Sequence, residues 1–369
     1  MSSSCSADKH SREIREIRVE PRSAAMFFRP RARTLCTSVV LGGMLLSSVA
    51  AQTRPPAAAS SSSPAAKAAA GGRTVVARVN DQEIYKEDVD QALAPVAKQQ
   101  PISADQMPQF QAAMLAQLIS QKLIFDLIKE QNLLATPEEI DAQVDQLSDQ
   151  LKVQKVSLSQ YMRKMGLTRA SLRNRTGNQI SIQKLLNQFG PEDRLQEYFK
   201  QNARQFDGTE LRVSHILLRP RATGSQAEMD EIRAQAVKIK AGIDAGTMTF
   251  AEAARQYSAG PSRTEGGDLG FIGRKVPMVE AFNRAAFNLE KGQVSEPVAT
   301  PFGVHLITVT DVRPGGKTLA DVRNEVTLQF SQWIIDQLIE KQIEKAKIEF
   351  NESFPHYKPG TRELAAARK

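Results

Sequence analysis

Val213-Ser214-His215-Ile216-Leu217-Leu218 and Gly303-Val304-His305-Leu306-Ile307 are two short apolar runs, each carrying one histidine. Branched aliphatic residues at this density predict strands over Leu211 to Leu218 and Val304 to Thr310. Alternate residues of a strand share a face, so His215 points with Val213 and Leu217, and His305 with Ile307 and Val309. Between the runs lie Ala-rich helical segments and a glycine-rich turn, Glu265-Gly266-Gly267-Asp268-Leu269-Gly270. Few strands with several helices predict a compact α+β unit over 207–313, opened by Phe206-Asp207-Gly208 and closed by Arg313-Pro314-Gly315-Gly316.

Upstream, 73–206 reads as mostly helical after a short strand, Val75 to Val79, that ends at an Asn80-Asp81 turn. Met114, Leu118, Phe125 and Ile128 fall on one helical face. Thr136-Pro137-Glu138-Glu139 supplies an N-cap, a proline at the first helical position and an acidic third position. Leu158, Tyr161, Met162 and Met165 continue the pattern up to Gly166, and Ser171 to Phe189 makes a further helix before Gly190-Pro191. Met107, Met114, Met162 and Met165 suit either an adaptable peptide groove or ordinary core, and core is the simpler assignment. Downstream, 314–352 holds one long helix of up to about 30 residues, started by Thr318 with Asp321, whose stripe is Val322, Val326, Phe330, Trp333, Ile334, Leu338 and Ile343. Such a stripe must be covered. Packing back on the N-terminal helices would leave the α+β unit as an insertion, whereas a coiled coil would make a dimer; the former, and a monomer, is expected.

The chain of 369 residues is 41% hydrophobic and 24% charged, which excludes a disulfide miniprotein and a wholly disordered polypeptide. Its net charge of +8 is unevenly placed. Residues 1–51 carry eight Lys+Arg against four Asp+Glu, and the 353–369 tail holds four basic residues against one acid, which leaves the body near neutral at +1. A nucleic-acid partner is therefore not expected. Both cysteines, Cys5 and Cys36, lie in the first 51 residues, so Cys catalysis and zinc-finger spacing are excluded from the body. From Met26, the expected translation start, Arg29, Arg31 and Arg33 precede an apolar run from Leu35 to Leu46 and the small residues Ser48-Val49-Ala50-Ala51, which is the pattern of a cleavable secretory signal. An uncleaved anchor is the alternative, and Cys36 precedes the apolar run and so misses a lipoprotein cleavage site. Residues 52–72, rich in Ala, Pro and Ser, read as a flexible tether. No later segment is long and apolar enough to span a membrane, and the expected compartment is the periplasm.

On spacing alone, histidines on apolar strand faces are more often buried core residues than catalytic ones, and a metal pair lacks a third ligand nearby. The surrounding motifs add to this. Val213-Ser214-His215-Ile216-Leu217, Phe250-Ala251-Glu252-Ala253-Ala254 with Tyr257-Ser258, Gly266-Gly267-Asp268-Leu269-Gly270, the pair Phe282 and Phe287, and Gly303-Val304-His305 resemble, in order, the parvulin family of peptidyl-prolyl cis-trans isomerases. The flanks, 75–190 and the helix after 318, resemble the chaperone module of SurA-type periplasmic foldases. The resemblance implies an FKBP-like α+β parvulin domain inserted in a helical SurA-like module. It implies no cofactor and no metal, and substrates that are unfolded or nascent exported polypeptides containing proline. It places His215 and His305 at the base of the pocket with the hydroxyl of Thr300 beside them. Leu269, Met278 and Phe282 would hold the proline ring. Two positions depart from the pattern. Gly260 replaces a Cys or Asp before Pro261-Ser262, and Phe302 replaces a Ser-like residue and is counted as substrate-facing. Arg219 and Arg221 follow the first strand and read as solvated surface, not as a phosphate site. A prolyl isomerase and a holdase chaperone with a weak or inactive parvulin domain are the two functions to be separated.

Overall fold

The computed structural model describes residues 73–358 except 100–101, 105, 221–225 and 276–277, together with 361 and 364–365. The expected secretory signal, the expected 52–72 tether and Arg221 lie outside the described residues, as does most of the chain after 358. The chain opens with a hairpin, β1 (Val75–Val79) and β2 (Gln82–Tyr85), around the Asn80-Asp81 turn. Helices follow: α1 (Lys86–Gln99), α2 (Met107–Glu130), α3 (Pro137–Val153), α4 (Leu158–Met165), α5 (Arg169–Phe189) and α6 (Glu192–Gln201). At α3 the predicted cap is formed. Glu139 N–H donates to Thr136 Oγ1 at 3.3 Å and Thr136 N–H to Glu139 Oε2 at 2.8 Å.

The α+β unit contains β3 (Glu210–Leu218), α7 (Gln226–Asp244), α8 (Phe250–Tyr257), β4 (Asp268–Gly273), α9 (Glu280–Phe287), β5 (Val298–Thr300) and β6 (Gly303–Arg313). Its antiparallel sheet runs β4-β3-β6-β5, with His215 opposite Ile307 and Leu217 opposite His305. The sheet is buried on both faces. Val213, Ile307 and Val309 pack against Phe282, Ala286 and Phe287 of α9, while Ile216, Leu218, Val304 and Leu306 pack against α7 and α8. The histidines share the α9 face, as strand alternation predicts.

The chain then returns through α10 (Leu319–Ile343) and β7 (Ile348–Phe350). Val326, Phe330 and Ile334 of α10 are buried with Leu127 and Ile128 of α2, Leu185 of α5 and Leu195 of α6. Each such aliphatic or aromatic side chain contributes about 1.5–3 kcal/mol by leaving water. The stripe is thus covered within one chain, and the α+β unit is an insertion in the helical module. Trp333 departs from the stripe. It is 37% exposed and stacks on Phe330.

Several expectations require correction. The long helix is 25 residues and stops at Ile343, and β7 pairs with β1 in a three-stranded sheet, β2-β1-β7, that no periodicity in four- or three-residue strands could announce. The basic tail begins later than 353, because Phe354 is 7% exposed within the core formed by β1, α1 and the first half of α2. Phe125 is 38% exposed because α2 serves two cores in turn: Met114, Leu118 and Leu123 face the first, and Ile124, Leu127 and Ile128 the second. The glycine-rich turn continues into a strand, β4, at Asp268.

The two chain segments that join the module to the insertion cross at a tight neck. Lys317 N–H donates to the Asp207 carbonyl at 2.9 Å and Gly315 N–H to Thr209 Oγ1 at 3.1 Å. A Cβ at Gly315 would lie 2.2 Å from that same carbonyl oxygen, so only glycine fits.

Candidate active site

The sheet register sets the two imidazoles side by side, with centroids 5.5 Å apart. Phe282, 2% exposed on α9, presents its ring edge-on to both, 5.9 Å from His215 and 5.5 Å from His305. Thr300, at the end of β5, places Oγ1 2.8 Å from His305 Nε2 and also accepts the Phe302 N–H at 3.1 Å. His215 and His305 are 8% and 5% exposed, and neither nitrogen of His215 nor Nδ1 of His305 finds a hydrogen-bond partner among the described residues. Burial lowers the pKa of both rings. For His305 burial, then His215 and Arg219, bring it from 6.5 to about 4. Both imidazoles are therefore neutral near pH 7.

Of the residues anticipated from the sequence, His215, His305, Phe282 and Thr300 come together. Leu269 and Met278, half-buried, pack against the same apolar cluster. Phe302 does not join them; it stands 59% exposed on the turn between β5 and β6. Asn283, Arg274 and Glu280, which no motif flagged, and Ser258, which stood in a motif without a role, complete the arrangement. Asn283 Nδ2 donates to the carbonyls of Arg274 and Met278 at 3.2 and 3.3 Å and ties Met278 to α9, and Arg274 makes a two-point ion pair with Glu280 at 2.6 and 2.8 Å. Ser258 Oγ accepts the N–H groups of Leu217 and Gly260, each at 3.1 Å, which fastens the end of β3 to the Gly260 turn. The only sequence signal for Asn283 was a polar residue directly after Phe282 in an Ala-rich helix.

The cluster is buried, neutral and bordered by apolar side chains on one sheet face. Among the described residues no group of three His, Cys, Asp or Glu is arranged to hold a metal ion. Sequence comparison assigns the unit: a model of the PPIC-type PPIASE domain matches residues 215–311. This is a PPIC-type parvulin domain. A model of the SurA-like N-terminal domain matches residues 26–186, so the parvulin domain is inserted in a SurA-like helical module. The chain is a homologue of PrsA foldases. It is 35% identical over 164 residues to a foldase protein PrsA of Geobacillus sp., covering 43% of this chain and only 52% of that relative. A foldase protein PrsA of Clostridium botulinum is 25% identical over 301 residues, covering 74% of this chain and 86% of the relative. Among solved structures, a PrsA peptidylprolyl isomerase from Bacillus anthracis is 24% identical with a TM-score of 0.32, over 63% of this chain and 96% of that one.

Gly260 is the departure within the parvulin site that the structure makes concrete. A Cβ there would lie 2.9 Å from His215 Nε2 and 3.3 Å from Ser258 Oγ. Any side chain at this position would press directly on the imidazole, and glycine leaves His215 held by ring packing alone.

Proposed function

We propose that the protein is an exported foldase, acting in the periplasm after removal of its signal segment, that isomerises prolyl bonds of unfolded or nascent exported polypeptides and binds those chains through its helical module. It acts as a monomer without cofactor. The observation that carries the proposal is the neutral His215–His305–Phe282 cluster beside Leu269 and Met278. Rotation about a prolyl bond faces a barrier of about 18–20 kcal/mol because twisting breaks amide resonance. No covalent bond must break, so lowering the barrier requires only that the twisted amide be bound better than either planar form. An apolar cup fixes the proline ring while the preceding chain rotates. Withdrawal of the carbonyl from water favours the less delocalised, twisted amide. Uncharged imidazoles suit this task. A cationic ring at the base would hold water and favour the polar planar amide.

No helix among the described residues is long and apolar enough to cross a membrane, which fits a protein that acts after export. The test is cis/trans exchange of a proline peptide by the full chain: exchange accelerated over buffer is expected, and exchange at the buffer rate would overturn the enzyme. The missing side chain at Gly260, where even a Cβ would lie 2.9 Å from His215 Nε2, favours a second function, a holdase with a weak parvulin domain. Suppression of client aggregation without accelerated exchange would identify it.

A further inference from the structure

Helix α9 carries Phe282, the ring against which both imidazoles rest, and it is also the part of the parvulin domain that the helical module grips. On the approach to its N-terminus, Lys275 Nζ lies 2.7 Å from Glu325 Oε2 of α10. Just past its C-terminus, Arg204 of the short turn after α6 donates from Nη1 to the Leu289 carbonyl at 3.2 Å and from Nη2 to Glu290 at 3.2 Å. Gln205 Nε2 adds a bond to Asn288 Oδ1 at 3.3 Å. Within the domain, Asn283 and the Arg274–Glu280 pair fasten the preceding segment to the helix, so a pull on Lys275 is a pull on α9. At the neck the crossing chains add the Lys317–Asp207 and Gly315–Thr209 hydrogen bonds to these contacts.

We propose that Arg204 and Glu325, which lie outside the parvulin domain, are positioning residues for its pocket: by holding both ends of α9 they fix Phe282 against the two histidines. The proposal rests on the isomerase function above, and it makes the proline cup of the intact chain tighter than the domain's own contacts would. It also gives the module a route to the pocket, since whatever shifts α10 shifts one of the two holds on α9.

The experiment uses the full chain with Glu325→Lys, with Arg204→Ala, and with the exchanged pair Lys275→Glu plus Glu325→Lys. The Cε1–H resonances of His215 and His305 carry the ring current of Phe282 and report its place without any substrate. Each single substitution should move these resonances and raise KM for a proline peptide about twofold to fivefold, the span of an exposed ion pair, with kcat unchanged. The exchanged pair should restore both. Wild-type resonances or a wild-type KM in either single variant, or an exchanged pair that behaves like Glu325→Lys, would overturn the proposal. Should the wild-type chain leave prolyl exchange at the buffer rate, the isomerase function fails separately, and the ring-proton shifts still decide whether α9 is held in this way.

Discussion

Acidification should destabilise the parvulin domain over a pH range in which its carboxylates are still charged, and His305 supplies the part that can be worked out. Its pKa falls from 6.5 in the unfolded chain to about 4 in the folded domain, through burial first, then His215 and Arg219. Above pH 6.5 the ring is neutral in both states and contributes no pH dependence. Below it the unfolded chain takes up a proton that the folded domain refuses, so stability falls with pH until the folded pKa is reached. At about 1.4 kcal/mol per pH unit, the loss is about 2 kcal/mol by pH 5 and about 3 kcal/mol over the whole window. His215, lowered by burial, adds in the same direction. Asp268, held below 3.8 by its bond from Arg212, begins to lose its contribution only below that value. Asp336 of the helical module, raised by burial, works oppositely and gains stability as it protonates. Urea unfolding from about pH 7 to about pH 5, followed at β3 and β6 by methyl resonances, measures it in wild type and His305→Gln, which should lose one proton's worth of slope. Identical slopes in the two proteins, or a His305 ring that titrates at 6.5, would refute the reasoning.

Phe282→Ala should destabilise the domain by about 3–5 kcal/mol, because it empties a fully buried site, whereas Phe282→Leu should keep the fold and raise KM for proline peptides; unfolding midpoints and peptide kinetics separate the two. Thr300→Val leaves His305 Nε2 and the Phe302 N–H without their shared partner and should cost about 1–3 kcal/mol, read as a lower melting temperature and a displaced His305 ring nitrogen resonance. Phe354→Ala should lower the stability of the helical module by about 3 kcal/mol while leaving peptide exchange intact, as expected of a core residue and not of a tail. Gly315→Ala forces a methyl onto the Asp207 carbonyl and should open the neck to proteolysis before either core unfolds.

Much of the site was legible because strand alternation and register are local rules. Once Val213 and Ile307 are inward, His215 and His305 follow them to one face, and the order of the parvulin motifs supplies Phe282, Leu269, Met278 and Thr300. Phe302 escaped because a turn residue has no face until the turn is built. Asn283 escaped, and Ser258 stood in a motif without its role, because both bond backbone groups distant in sequence, such as the Arg274 carbonyl and the Leu217 N–H, which no residue pattern displays.

Composition, periodicity and motif order determined that this chain has an α+β insertion between helices, two body histidines on one strand face, and a long apolar helix that needs cover. Those are properties of short windows, where the period of the side chains fixes which face is wet. The tertiary structure decided the rest: that α2 turns from one core to another and so exposes Phe125, that β7 closes the N-terminal sheet and Phe354 its core, and that burial first, with His215 and Arg219 adding to it at His305, keeps His215 and His305 neutral. It also decided that α9 is gripped at both ends by the helical module. Burial and long-range pairing belong to the packed chain as a whole, and they set the charge and the position of the residues on which the proposed chemistry depends.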